Sequence, residues 1–308
     1  MKEKREFVPG MKVREETSIG TFVMQIITYV FFTAFALFCV YPFYYMFINS
    51  ISNNLTSSQG KVLFFPIGIH FTNYVSAFKI PELANAAMIS LGRTVIGTVF
   101  TLIASAFLGF MFTRETMWKR KVWYRLVVVT MYFNAGLIPW YLIMRNLGLT
   151  NNFWAYLLPT IVVPFDVILA KTFVESVPKS LEESATLDGA GTFTVFGAII
   201  LPLIKPILTT IAIFAAVNQW NAFQDTLLLM TDSRLYSLQF VLYQYLQGAA
   251  SVARNANSSS MMASLATAAT QTSIRMTVTI IVVLPILAVY PFFQRYFVKG
   301  IMIGAVKG

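Results

Sequence analysis

This 308-residue chain has one cysteine, one histidine and few charges, with Asp, Glu, Lys and Arg making up 12% of it. Cys39 alone excludes a disulfide framework and a Cys-rich metal site. A single imidazole, His70, removes most metal ligation and acid–base chemistry. With one His and one Cys, neither a Ser-His-Asp nor a Cys-His arrangement is available, and no catalytic carboxylate pair is discernible. No Gly-x-x-x-x-Gly-Lys-Ser/Thr segment occurs, so the chain does not bind ATP through a P-loop. No enzymatic activity and no cofactor are expected.

Apolar surface is what the chain has in excess. Hydrophobic residues make up 57%, with 28 Phe, more than a soluble fold of this size hides, whereas lipid requires no hiding. Six apolar runs, 22–48, 88–112, 126–147, 153–174, 203–230 and 274–296, are predicted to cross a bilayer. The first would be about 40 Å long as a helix, which exceeds a signal-peptide core and the ~30 Å hydrocarbon layer. Cys39, after the bulky Phe38, reads as an ordinary membrane-helix cysteine.

The expected fold is therefore all-α and integral to the membrane, with a tail at 1–21, a membrane domain at 22–296 and a second tail at 297–308. Sixteen of the 23 Lys and Arg fall in the two tails and in the second-to-third and fourth-to-fifth connections, or within four residues of them. This bias places both termini and residues 177–206 in the cytoplasm. The same clustering beside apolar runs argues against nucleic acid as the reason for the net charge of +10. The long connections 49–87 and 231–273 fall on the outer face, where they offer docking surfaces to a soluble partner. Residues 236–246 can form a short helix at that surface, and 249–262 read equally well as a disordered connection.

Residues 177–206 are the most informative stretch. Pro178 suits a first helical turn, and Ser180 and Glu183 have the spacing of a capping box. Glu182 and Glu183 favour the positive end of that helix. Asp188-Gly189-Ala190-Gly191 then breaks the run, because glycine reaches backbone angles other residues avoid. Thr192 can cap a second helix with Phe193, Phe196, Ile199 and Ile200 on one face, before Pro202 and Pro206 lead into the fifth run. The result is a helix–turn–helix along the cytoplasmic membrane surface.

Glu183, Ala185, Asp188, Gly189, Ala190, Phe196, Ile199, Leu201, Pro202 and Pro206 resemble the EAA loop of permease subunits of binding-protein-dependent ABC importers. They are most similar to the MalG-like branch of carbohydrate permeases. Ser184 departs from the usual Ala, a small-for-small change. Asn218-Gln219-Trp220-Asn221-Ala222-Phe223 is similar to the family's Trp-Asn-x-Phe motif, and residues 294–308 resemble the closing sequence of its oligo- and polysaccharide permeases. The likeness runs from about residue 88 to the end.

The resemblance implies a prokaryotic cell-membrane subunit that imports carbohydrate on ATP hydrolysed by partners. Those partners would be a second, homologous permease, cytoplasmic ATP-binding subunits and an extracytoplasmic solute-binding protein. Glu183, Ala185, Asp188, Gly189, Ala190 and Pro202 would couple the chain to the ATPase. A permease for a non-carbohydrate solute, and a stand-alone carrier or membrane enzyme, are the alternatives.

Two polar features lie inside apolar runs. Asn218, Asn221 and Asp225 share a helical face, with Trp220 and Gln224 beside it. Amides that bond hydroxyls and an indole that stacks on sugar C–H faces suit a translocation path, and inter-helix hydrogen bonding to a second permease explains them equally well. Asp166, after Pro164, is a costly intramembrane acid and a path candidate, or else an acceptor for backbone groups freed by the proline. Tyr132, Phe133, Asn134 and Trp140 are weaker candidates in the third run.

Overall fold

The computed structural model describes residues 19–255 and 271–291, and all regular structure among them is helical. The apolar run at the start forms α1 (Ile19–Ser50), whose span-forming stretch buries nothing against the rest of the chain. Only its end is anchored, by a polar cluster. The Asn49 amide donates to the Tyr45 and Val62 carbonyls at 2.9 and 3.1 Å, and its oxygen accepts from the Ser57 hydroxyl at 2.7 Å. Short helices α2 (Asn54–Ser58) and α3 (Thr72–Phe78) follow, and Asn73 donates to the Ser50 carbonyl at 3.0 Å.

The centre of the fold is α4 (Pro81–Met111), which starts well because its first turn holds Pro81 and Glu82. Then come α5 (Arg120–Tyr132), α6 (Leu137–Asn146), two 3₁₀ turns at Phe153–Tyr156 and Leu158–Thr160, and α7 (Pro164–Glu175). Beyond these lie α8 (Lys179–Leu187), α9 (Thr192–Leu203), α10 (Lys205–Asn221), α11 (Gln224–Leu229), α12 (Leu238–Asn255) and α13 (Gln271–Pro291). Helix α4 packs on α7 and α10. At one end Phe110, Val174, Val195, Ile200 and Ile204 form a core, and at the other Leu83, Trp220, Leu238 and Val278 do so. Gly97 permits the close approach of α10, since a Cβ there would fall 2.6 Å from Gln219 Nε2.

Three helices are long and apolar enough to cross a membrane: α1, α13 and Glu82–Met111 of α4. Two bent pairs raise the number to five, Phe153–Thr160 with α7 (46°) and α9 with α10 (81°). The expected runs 22–48, 88–112 and 274–296 match the unbent helices with shifted ends, and residues 292–296 fall outside the described residues. The expected run 126–147 is divided between α5 and α6, because Asn134 Oδ1 accepts the Gly136 N–H at 2.9 Å, a local turn that competes with helix. The expected run 203–230 stops at Asn221. There Ala222 is extended (ψ 131°), and α11 starts afresh. The helix expected at 236–246 is the longer α12, and it does not lie free at a surface, since Leu238, Val241 and Leu242 are buried. The tails 1–18 and 292–308, with the closing motif at 294–308, lie outside the described residues.

Candidate functional site

Residues 177–203 form a helix, a tight turn and a second helix. Helix α8 has Pro178 at its N-cap position and no side-chain cap, so Ser180 sits inside the first turn and the expected capping box does not form. Thr192 likewise is the first residue of α9, capped by Gly191 without a side-chain bond. The turn between them is as expected. Gly189 has φ +86°, its N–H donates to Thr186 O at 3.1 Å, and Ala190 N–H donates to Ala185 O at 2.9 Å. A left-handed glycine that closes the end of a helix in this way satisfies carbonyls that the helix leaves unpaired.

The device is held on one side and bare on the other. Glu182 pairs with Arg114 at 2.5 Å, and the Arg114 guanidinium lies 5.3 Å over the Phe110 ring. Ala185, Ala190 and Phe196 pack on the core at this end of α4, and Phe196 lies 5.4 Å from both Phe107 and Phe110. Residues Val195–Ile200 wind as a π-helix. The expected single face is thereby turned. Ile200 and Val195 are buried, whereas Phe193 is 76% exposed and only stacks on Phe107. Glu183, Asp188 and Pro202 are exposed, and Leu187 is 89% exposed beside the turn. Glu183 also lines a cavity of about 640 Å³ between α8 and the 113–120 connection.

The second candidate is a groove of about 600 Å³ where α10 breaks into α11. Asn134 and Trp140 from the divided third run line it together with Asn221, Gln224 and Asp225. The structure thus joins two of the four weaker candidates of one run to stronger ones of another, while Tyr132 and Phe133 are exposed and outside the groove lining. Asn221 and Gln224 are exposed, and Asn221 Oδ1 accepts from Gln239 at 2.9 Å. Asn218 is exposed but one turn away from the groove lining. Trp220 points elsewhere: it is buried, and its indole N–H donates to Val282 O at 3.2 Å, so it packs the core. Asp166 is buried in the first turn of α7, where a carboxylate suits the helix start, and it is not part of the groove.

The shared face expected for Asn218, Asn221 and Asp225 is split by the break after Asn221. Asp225 turns inward and pairs with Arg93, which is 1% exposed. Arg93 donates from Nη1 to Asp225 Oδ1 at 3.2 Å and to Ala222 O at 3.3 Å, and from Nε to Gln219 Oε1 at 3.1 Å. Its guanidinium lies 4.3 Å over the Tyr156 ring. Gln219 then donates to Thr160 Oγ1 at 2.6 Å and to Tyr156 O at 3.3 Å. The sequence motifs do not single out Arg93, although a lone arginine in an apolar run demands a buried partner.

No family model matches the chain. The polygalacturonan/rhamnogalacturonan transport system permease protein YtcP of Bacillus subtilis is 33% identical over 286 residues, 93% of this chain and 99% of that protein. The arabinooligosaccharides transport system permease protein AraQ of Halalkalibacterium halodurans is 26% identical over 90% of this chain and 94% of that protein. Among solved structures, a chain of a bacterial ABC transporter involved in import of the acidic polysaccharide alginate superposes with a TM-score of 0.81. It is 29% identical, over 91% of this chain and 98% of that one.

Proposed function

We propose that this chain, which belongs to the permease proteins of carbohydrate ABC transport systems, lines the path by which an oligo- or polysaccharide enters the cytoplasm. Six crossings are the topology, with α5 and α6 together making the divided third one and both termini in the cytoplasm. ATP is hydrolysed on separate subunits, which the α8–turn–α9 device engages. A second, homologous permease completes the path, and an extracytoplasmic binding protein delivers the saccharide.

The observation that carries this reading is the device itself. Its inner side is fixed by the Arg114–Glu182 pair and by Phe196, while Leu187, Glu183 and Asp188 are left bare. The 81° turn between α9 and α10 sets α9 steeply across the direction of a span, as a surface helix requires. Movement of α9 passes directly into α10, whose end carries Asn221 at the groove. Rigid-body motion of this kind is how packed helices transmit a distant closure. The groove offers amides and an indole, which match the hydroxyls and C–H faces of a sugar.

Cells that express the chain with its partners test the reading. Radiolabelled oligogalacturonide pentamer, arabinopentaose and alginate pentasaccharide serve as probes. Uptake of at least one is expected to require the chain, to stop when arsenate depletes ATP and to persist under a protonophore. Uptake that ignores arsenate but collapses with the protonophore would make the protein a proton-driven carrier.

A further inference from the structure

We propose that Arg93 is the positioning residue that sets the geometry of the groove floor, an inference that rests on reading the groove as the saccharide path. Two of the three exposed amides of the groove flank a break between helices, Asn221 ending α10 and Gln224 opening α11, while the third, Asn134, comes from the 133–136 turn. Between Asn221 and Gln224 the backbone leaves helical geometry at Ala222 and Phe223. Nothing in the sequence of those two residues, neither proline nor glycine, compels a break. An external constraint must therefore hold it.

Arg93 supplies that constraint from both sides of the break. Nη1 fills the Ala222 carbonyl at 3.3 Å, a carbonyl that helix continuation would have paired with Thr226 N–H. Thr226 N–H goes instead to Asp225 Oδ1 at 2.8 Å, and that carboxylate is clasped by both terminal nitrogens of Arg93. Nε reaches back into α10 at Gln219. One planar group thus touches α10 before the break, the break itself and α11 after it.

The plane is itself held in place. Tyr156 underlies it at 4.3 Å, and the Tyr156 hydroxyl donates to Leu235 O at 2.5 Å and meets Thr226 Oγ1 at 3.1 Å. A lysine cannot reproduce this arrangement. It has one nitrogen, no plane to stack and no fork to clasp a carboxylate. The Arg93 side chain does not line the groove, so it acts only through Asn221, Gln224 and Asp225.

The test uses the full assembly in native membranes, with Cys39→Ser as background so that single cysteines can be introduced. The rate at which a polar maleimide modifies Gln224→Cys reads the floor, and Ser58→Cys serves as the distant reference. Adding Arg93→Lys is expected to change the rate at 224 by about fivefold or more, with the reference within about twofold. Asp225→Asn, which keeps the shape, should change it in the same direction by less. An unchanged rate at 224 would overturn the proposal. So would equal changes at both sites, which would mean that Arg93 supports the fold at large.

A second arm measures uptake of the same three saccharides. Arg93→Lys should raise the half-saturating concentration about fivefold and leave the maximal rate within about twofold. A fall in maximal rate alone would overturn the positioning role. The double variant Asn221→Ala, Gln224→Ala is the control for the groove. If it leaves half-saturation unchanged, the groove is not the path, and the labelling arm still decides what Arg93 does.

Discussion

Gly189 has φ +86°, and a Cβ there would meet nothing within 4 Å. The cost of a side chain at this position is therefore backbone strain and not a clash. Gly189→Val should destabilise the turn by about 1–3 kcal/mol, seen as lost ATPase association with the chain still in the membrane. Gly189→Asn, which tolerates left-handed angles, should lose less, and equal losses for Asn and Val would argue against a backbone origin. Arg93 gives the complementary case. Arg93→Leu leaves Asp225 without its cation and should cost about 3–5 kcal/mol, whereas Arg93→Leu with Asp225→Leu should recover much of that. Thermal unfolding in detergent checks this as a double-mutant cycle. Gly189 was legible in the sequence because its chemistry is local. The role of Arg93 is not legible there, because its hydrogen-bond partners lie 126 to 132 residues away and only the fold brings them together.

At the scale of elements, uninterrupted apolar runs were read most closely. Helices α1, α4 and α13 lie where hydropathy placed them, because length and composition alone decide such elements. Hydropathy presents the divided runs as continuous, since its window averages over a break of two to four residues. At 133–136 a clue existed in the Asn-x-Gly turn, whose Asn134 side chain caps it. At Ala222–Phe223 neither proline nor glycine marks the break, and the Ala222 carbonyl it frees is met by Arg93 from across the helix interface. The helix–turn–helix was found with its ends misjudged by a residue or two, and its second helix turned by the π-helical stretch at Val195–Ile200. Labelling tests the arrangement of these elements in the bilayer. Cysteines at Ser58 should react from outside with a membrane-impermeant maleimide, and those at Lys119 and Lys179 only after permeabilisation. Reaction at Lys179 in intact cells would place the α8–turn–α9 device on the wrong side for ATP.

Across the whole molecule, helix α1 is bare along its span-forming stretch, and Leu187 and Phe193 are exposed on either side of the Gly189 turn. On the function proposed above, this turn passes the energy of ATP hydrolysis on a partner into movement of α10. Glu183 is exposed on α8 and pairs with nothing among the described residues, so reversing its charge leaves the internal Arg114–Glu182 pair intact. The direct measurement is saccharide-stimulated ATP hydrolysis by the membrane-embedded assembly, for wild type and for Glu183→Lys at equal membrane content of the chain. Glu183→Lys is expected to abolish the stimulation and release the ATPase from the membrane. Full stimulation together with wild-type uptake in Glu183→Lys would contradict that role of the turn.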